Sequence, residues 1–156
     1  MPTIIHSLLL LLGLSVIPWS LAGAADAVRN PIVSPQTIAG AHIVNSEHLI
    51  AAVNFTPELT QIDSRVAADR NDGFTEGSIS MTDTDTSCAS LAEVVPGKTS
   101  PVLFSCNGIR CGRSAKAAEV AVSCGYSHVL WFRNAMEEWL DKESPLVRQV
   151  GRPVVE

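Results

Sequence analysis

The sequence predicts an α/β domain with a mostly parallel sheet covered by helices on both faces. Two observations carry this. Short apolar runs alternate with helix-length segments of 8–11 residues, the signature of βα units. Two of those runs, Val102 to Phe104 and His128 to Phe132, are almost continuously apolar, as strands buried on both faces are.

Residues 25–40 carry Pro31, Pro35 and Gly40 with no sustained period and read as an extended N-terminal segment. His42 to Val44 is a short strand, and Ser46 caps a helix whose apolar face is Leu49, Ile50 and Val53. Leu59 to Asp63 forms the second strand, and the loop Gly73 to Gly77 leads to a brief strand at Ser78 to Ser80. The polar turn Thr82 to Ser87 caps a helix over Cys88 to Val95, which Pro96-Gly97 ends. Pro101 to Cys106 is the clearest buried strand. An Ala/Val-rich helix over Ser114 to Cys124 stops at Gly125, His128 to Phe132 is the last core strand, and Met136 to Lys142 is a final helix with Trp139 inward. Residues 41–145 make the domain and 146–156 a tail.

Of the 156 residues, 46% are hydrophobic and 17% charged, with 11 basic against 16 acidic side chains and net charge −5. This composition excludes a collagen, a disordered polyelectrolyte and a basic nucleic-acid binder. The mean hydropathy of +0.21 owes much to the N-terminus. Leu8 to Ile17 is an apolar run too short to cross a bilayer, which takes roughly 20 residues. Ala22-Gly23-Ala24 follows as a small-x-small cleavage pattern, so residues 1–24 read as a signal peptide, with an uncleaved anchor as the alternative. Ala24 stands where a lipoprotein would carry Cys. Cleavage after Ala24 leaves 132 residues, enough for one domain. The expectation is export to a bacterial periplasm, with no membrane association of the mature chain.

Cys88, Cys106, Cys111 and Cys124 are an even set in an exported chain, so disulfides are permitted, and the three full pairings stay open alongside free thiols. Cys88 and Cys124 lie on helices among apolar neighbours and are expected to pack in the core. The Cys106–Cys111 spacing, without a second close ligand pair, is too loose for zinc. No metal or cofactor is expected.

In parallel sheets, ligands sit outside the carboxyl ends of the strands. The strand ending in Cys106 is followed by Asn107, Gly108, Ile109, Arg110, Cys111, Gly112 and Arg113, and a helix begins at Ser114. Glycines let loop amides turn inward, and Arg110, Arg113 and Lys116 precede the next acid in sequence, Glu119. Such a loop is a candidate anion site in which an exposed Cys106 thiolate is the nucleophile and the loop residues bind substrate. The alternatives are a buried core thiol at Cys106, a local Cys106–Cys111 disulfide, and a Walker-like phosphate loop, for which the spacing is one residue short and Arg113 stands in place of Lys.

At these residues the chain resembles the rhodanese family of sulfurtransferases over roughly His42 to Trp139. Leu59 to Arg65 is similar to the family's hydrophobic-Asp-x-Arg strand end, and Gly73 to Ile79 to its Gly-His-Ile-x-Gly-Ala loop. Val102 to Cys106, Arg113 to Ala118 and Gly125 to Val129 are the most specific blocks. The resemblance implies a single five-stranded rhodanese-like domain. Cys106 would accept a sulfane sulfur as a persulfide and pass it to a thiol or cyanide. The donor would be a small sulfur anion such as thiosulfate, or a persulfide, and a protein thiol is a further candidate partner.

The sequence departs from the pattern in its loop, with six residues between Cys106 and Arg113, in Phe74 for the family His, and in Asn134-Ala135 for Gly-Gly. The longer CNGxxC form resembles a bacterial subgroup with a second loop cysteine. Asp63 and Arg65 read as supporting residues, foremost an internal ion pair, and Arg113 as either an anion ligand or a partner for a carboxylate. Cys111 is a candidate resolving thiol. The competing functions are a thiol–disulfide redox module on Cys106 and Cys111, a catalytically silent binding module, and a small phosphatase.

Overall fold

The computed structural model describes residues 33–148. Five parallel strands, β1 (Ala41–Ile43), β2 (Thr60–Asp63), β3 (Ile79–Ser80), β4 (Val102–Ser105) and β5 (Val129–Phe132), form one sheet in the order β1-β5-β4-β2-β3. The helices are α1 (Ser46–Phe55), α2 (Cys88–Val94), α3 (Arg113–Ser123) and α4 (Ala135–Asp141), joined by a 3-10 helix over Ala67–Asp72 that periodicity did not reveal.

Period-two alternation in the central strands sorts the core into two layers. Val102, Phe104, Val129 and Trp131, with Ile62, pack with Leu91 of α2 and the small residues Ala117, Ala118 and Ala121 of α3. Leu103 and Phe132 pack with Leu49 of α1 and with Met136 and Trp139 of α4. The alanines let α3 lie close to the sheet, and Trp131 Nε1 donates to Ser114 Oγ at 3.1 Å, which fixes the first turn of α3 against β5.

Helix caps follow the chemistry of short polar side chains. Ser87 and Ser90 form a reciprocal capping box on α2. The α1 cap is Asn45, whose side chain accepts from His48 N–H, and not Ser46. Ser46 instead gives its N–H and Oγ–H to Glu138 Oε1, both at 2.8 Å, and so ties α1 to α4.

The domain extends past both expected boundaries. Ile38 joins the core, and Val147 pairs antiparallel with Phe74 beyond residue 145. Cys88 and Cys124 do not pack as separate core thiols. They form a disulfide that links the start of α2 to the end of α3. Ser87, the α2 cap, leaves Cys88 exposed beside the end of the neighbouring helix, where a bridge is sterically simple. The expected signal peptide, residues 1–24, and most of the expected tail lie outside the described residues.

Candidate functional site

The connection after β4 passes to α3 on one face of the sheet, while that after β5 passes to α4 on the other. Neighbouring strand ends whose chains diverge in this way leave a crevice, the usual ligand position in such sheets. The segment 106–112 occupies it. Met136 N–H donates to Cys106 C=O (3.2 Å) and Glu137 N–H to Asn107 C=O (2.9 Å), so the start of α4 holds the loop from behind. Gly108 has φ +155°, and a Cβ there would lie 3.0 Å from Glu137 Cβ, so both conformation and space select glycine.

Cys106 is not the exposed thiolate that the loop composition suggested. It is 0% exposed and bonded to Cys111, with the two Cα atoms 6.1 Å apart. The physical reason lies in the six-residue loop. Cys111 N–H donates to Gly108 C=O at 3.0 Å, and this turn carries Cys111 back over the strand end. The amides of Gly108, Ile109, Arg110 and Gly112 donate to no protein acceptor among the described residues, whereas that of Cys111 is committed to the turn.

The extended N-terminal segment crosses the loop. Ser34 N–H donates to Ile109 C=O (2.7 Å) and Ser34 Oγ–H to Cys111 C=O (2.8 Å). Arg133 in turn clamps the segment through Ser34 C=O (3.2 Å) and Pro35 C=O (2.8 Å). Neither Ser34 nor Arg133 was marked by any periodicity or motif.

The local field is also less positive than the linear sequence implied. Asp83, from the turn read only as polar, folds between Arg113 Nε and Lys116 Nζ, 3.7 Å from each. Arg113 thus turns to a carboxylate, although its side chain stays 42% exposed, and its Nη1 lies 4.0 Å from Cys111 Sγ. Arg110 is exposed, and with Asp83, Thr84, Gly112, Arg113 and Lys116 it lines a cavity of about 340 Å3. The side-chain amide of Asn107 donates one hydrogen to Asp69 Oδ2 at 2.8 Å, which ties the start of the loop to the segment after β2.

Asp63 and Arg65 form the internal pair. Arg65 Nη2 donates to Asp63 Oδ2 at 2.7 Å, with side-chain exposures of 4% and 3%. Arg70 Nη1 donates to the same oxygen at 2.7 Å and its guanidinium stacks on Phe74. Arg65 also reaches Asp69 C=O (3.2 Å), so the pair supports the loop indirectly through Asp69 and Asn107.

No family model matches the chain, and no curated protein does either. Solved structures do resemble it. The rhodanese-like domain of an Anabaena protein superposes with TM-score 0.57 at 18% identity, over 72% of this chain and 85% of that one. The polysulfide-sulfur transferase homodimer of Wolinella succinogenes gives 0.57 at 16%, over 74% and 84%. The thiosulfate sulfurtransferase of Pseudomonas aeruginosa gives 0.60 at 19%, over 73% of this chain and 21% of that one. The fold is therefore rhodanese-like.

Proposed function

We propose that the domain is a sulfurtransferase that carries a sulfane sulfur on Cys106 once the Cys106–Cys111 disulfide has been reduced. The observation that carries this reading is the place of Cys106 at the end of the central strand, at the crevice where the two neighbouring connections diverge. The amides of Gly108, Ile109, Arg110 and Gly112, in the loop that follows Cys106, have no protein acceptor among the described residues, and Arg110, Arg113 and Lys116 line a cavity beside that loop. The rhodanese-like neighbours, two of which are named for thiosulfate and polysulfide sulfur transfer, support the same class.

With thiosulfate as donor, the Cys106 thiolate attacks the sulfane sulfur. That sulfur's bond to the sulfonate breaks, sulfite leaves with the electron pair, and Cys106 holds a persulfide. A thiol or cyanide then takes the outer sulfur and returns the thiolate. Amide donors and exposed cations stabilise the anion at each stage without a cofactor. The apolar Leu8 to Ile17 run supports export, and two disulfides suit an oxidising compartment such as the periplasm.

The test is sulfite release from thiosulfate by reduced protein. Cys106→Ser is expected to lower it at least about a hundredfold. Equal release by wild type and variant would overturn the assignment. The loop disulfide favours a second reading, thiol–disulfide exchange without sulfur loading. That reading predicts no sulfite from either protein.

A further inference from the structure

We infer that Cys111 is the resolving nucleophile of a sulfur-loaded Cys106, so that the domain releases its cargo as hydrosulfide and is reset by a dithiol. This rests on the sulfur-transfer reading above and adds to it the product and the class of reductant.

The bonded pair establishes reach, since Cys111 Sγ meets Cys106 Sγ and not a more distant atom. The fold also fixes that approach from several sides. Gly108 C=O accepts Cys111 N–H, Ser34 Oγ–H is donated to Cys111 C=O, and Ser34 N–H holds the neighbouring Ile109 C=O. These restraints hold the backbone at 109–111 in the position that brings the two sulfurs together. Arg113 Nη1, 4.0 Å from Cys111 Sγ, supplies a cation beside the sulfur that must become a thiolate. Both residues are buried, Cys106 completely and Cys111 at 7% exposure, so Cys111 is the one nearer to solvent. An external dithiol therefore meets Cys111 first and expels Cys106 as the leaving thiolate, the form required for the next loading.

The step balances. Cys111 loses its proton to solvent, and its thiolate attacks Sγ of the Cys106 persulfide. The Cys106–Cys111 bond forms, the bond from Cys106 Sγ to the outer sulfur breaks, and that sulfur leaves as hydrosulfide with the electron pair and a proton. The outer sulfur is reduced by two electrons and the two cysteines are oxidised by two. A dithiol returns those electrons and becomes a disulfide itself.

The experiment takes the full chain reduced with dithiothreitol, freed of reductant under inert gas and mixed with thiosulfate. Sulfite, sulfide and the masses of cysteine peptides are then measured. Wild type is expected to give sulfite and sulfide in equal amounts, with the Cys106 and Cys111 peptides joined. Cys111→Ser is expected to give sulfite, at least about tenfold less sulfide, and a Cys106 peptide heavier by one sulfur. If wild type instead retains the extra sulfur on Cys106 and yields no more sulfide than Cys111→Ser, the inference is overturned while the transfer reading stands. If neither protein yields sulfite or gains sulfur, the transfer reading fails and the inference falls with it. The wild-type measurement decides the matter even if the variant does not fold.

Discussion

Asp63→Asn is the most demanding test of how the site is supported. The substitution keeps the side chain's shape but removes its charge and turns one acceptor oxygen into a donor. In the native domain that carboxylate accepts from Arg65 Nε (3.0 and 3.1 Å), Arg65 Nη2 (2.7 Å), Arg65 N–H (3.1 Å) and Arg70 Nη1 (2.7 Å). Arg65 has little access to water at 4% exposure, so its guanidinium would be left buried and only partly paired. Breaking one side of a buried pair costs about 3–5 kcal/mol. That is a large share of the roughly 5–15 kcal/mol that stabilises a typical domain. For a chain of this size it corresponds to a fall in Tm of roughly 10–20 °C. Urea denaturation followed by tryptophan fluorescence is the direct assay, with the midpoint falling and the slope unchanged. A loss below about 1 kcal/mol would refute the reasoning, because it would mean that the pair is screened like a surface salt bridge.

Three further outcomes follow from other contacts. Cys124→Ser opens a link between residues 36 apart and should lower stability by about 4 kcal/mol on the chain-entropy account, measured by the same urea titration; no change would mean that the bridge does not constrain the unfolded chain. Glu138 is affected most by burial, which raises its pKa, but hydrogen bonds from Ser46 N–H and Oγ–H, with Asn134 and Lys142, together hold it below the ordinary 4.5. Its stabilisation is therefore complete above pH 4.5 and lost as pH falls through the lower folded value, so Ser46→Ala should flatten stability against pH in that acid window; parallel curves for the two proteins would contradict this. Ser64 is fully buried and its hydroxyl has no partner among the described residues, so Ser64→Ala should be neutral or raise stability by about 1 kcal/mol; a comparable loss would reveal a bond to the hydroxyl.

The legible parts of the fold were those written in local chemistry. Val102 to Phe104 and Val129 to Phe132 declared central strands because an unbroken apolar run suits only a position covered on both faces. Ser87 announced α2, and Gly125 lies just past the end of α3. The helix over 46–55 was equally plain, but its cap shifted by one residue because Glu138, distant in sequence, claims the Ser46 hydroxyl. At the site, the loop and its cysteines were visible as a pattern, and burial of Cys106 and its bond to Cys111 stood among the alternatives that the sequence did not choose between. Whether Cys111 folds back depends on Gly108, Ser34 and Arg133 acting together. Asp83 escaped notice for the same reason, since a carboxylate in a polar turn carries no sign of the two cations it will meet. The Cys88–Cys124 pairing is a relation between the ends of two helices, and spacing alone does not encode it.

The hold that Ser34 and Arg133 exert on the loop bears on how the polypeptide can be shortened. A fragment begun at Ala41 would keep all five strands and discard the Ser34 latch over the Cys106–Cys111 disulfide. Rates measured on such a fragment would describe an unbolted door.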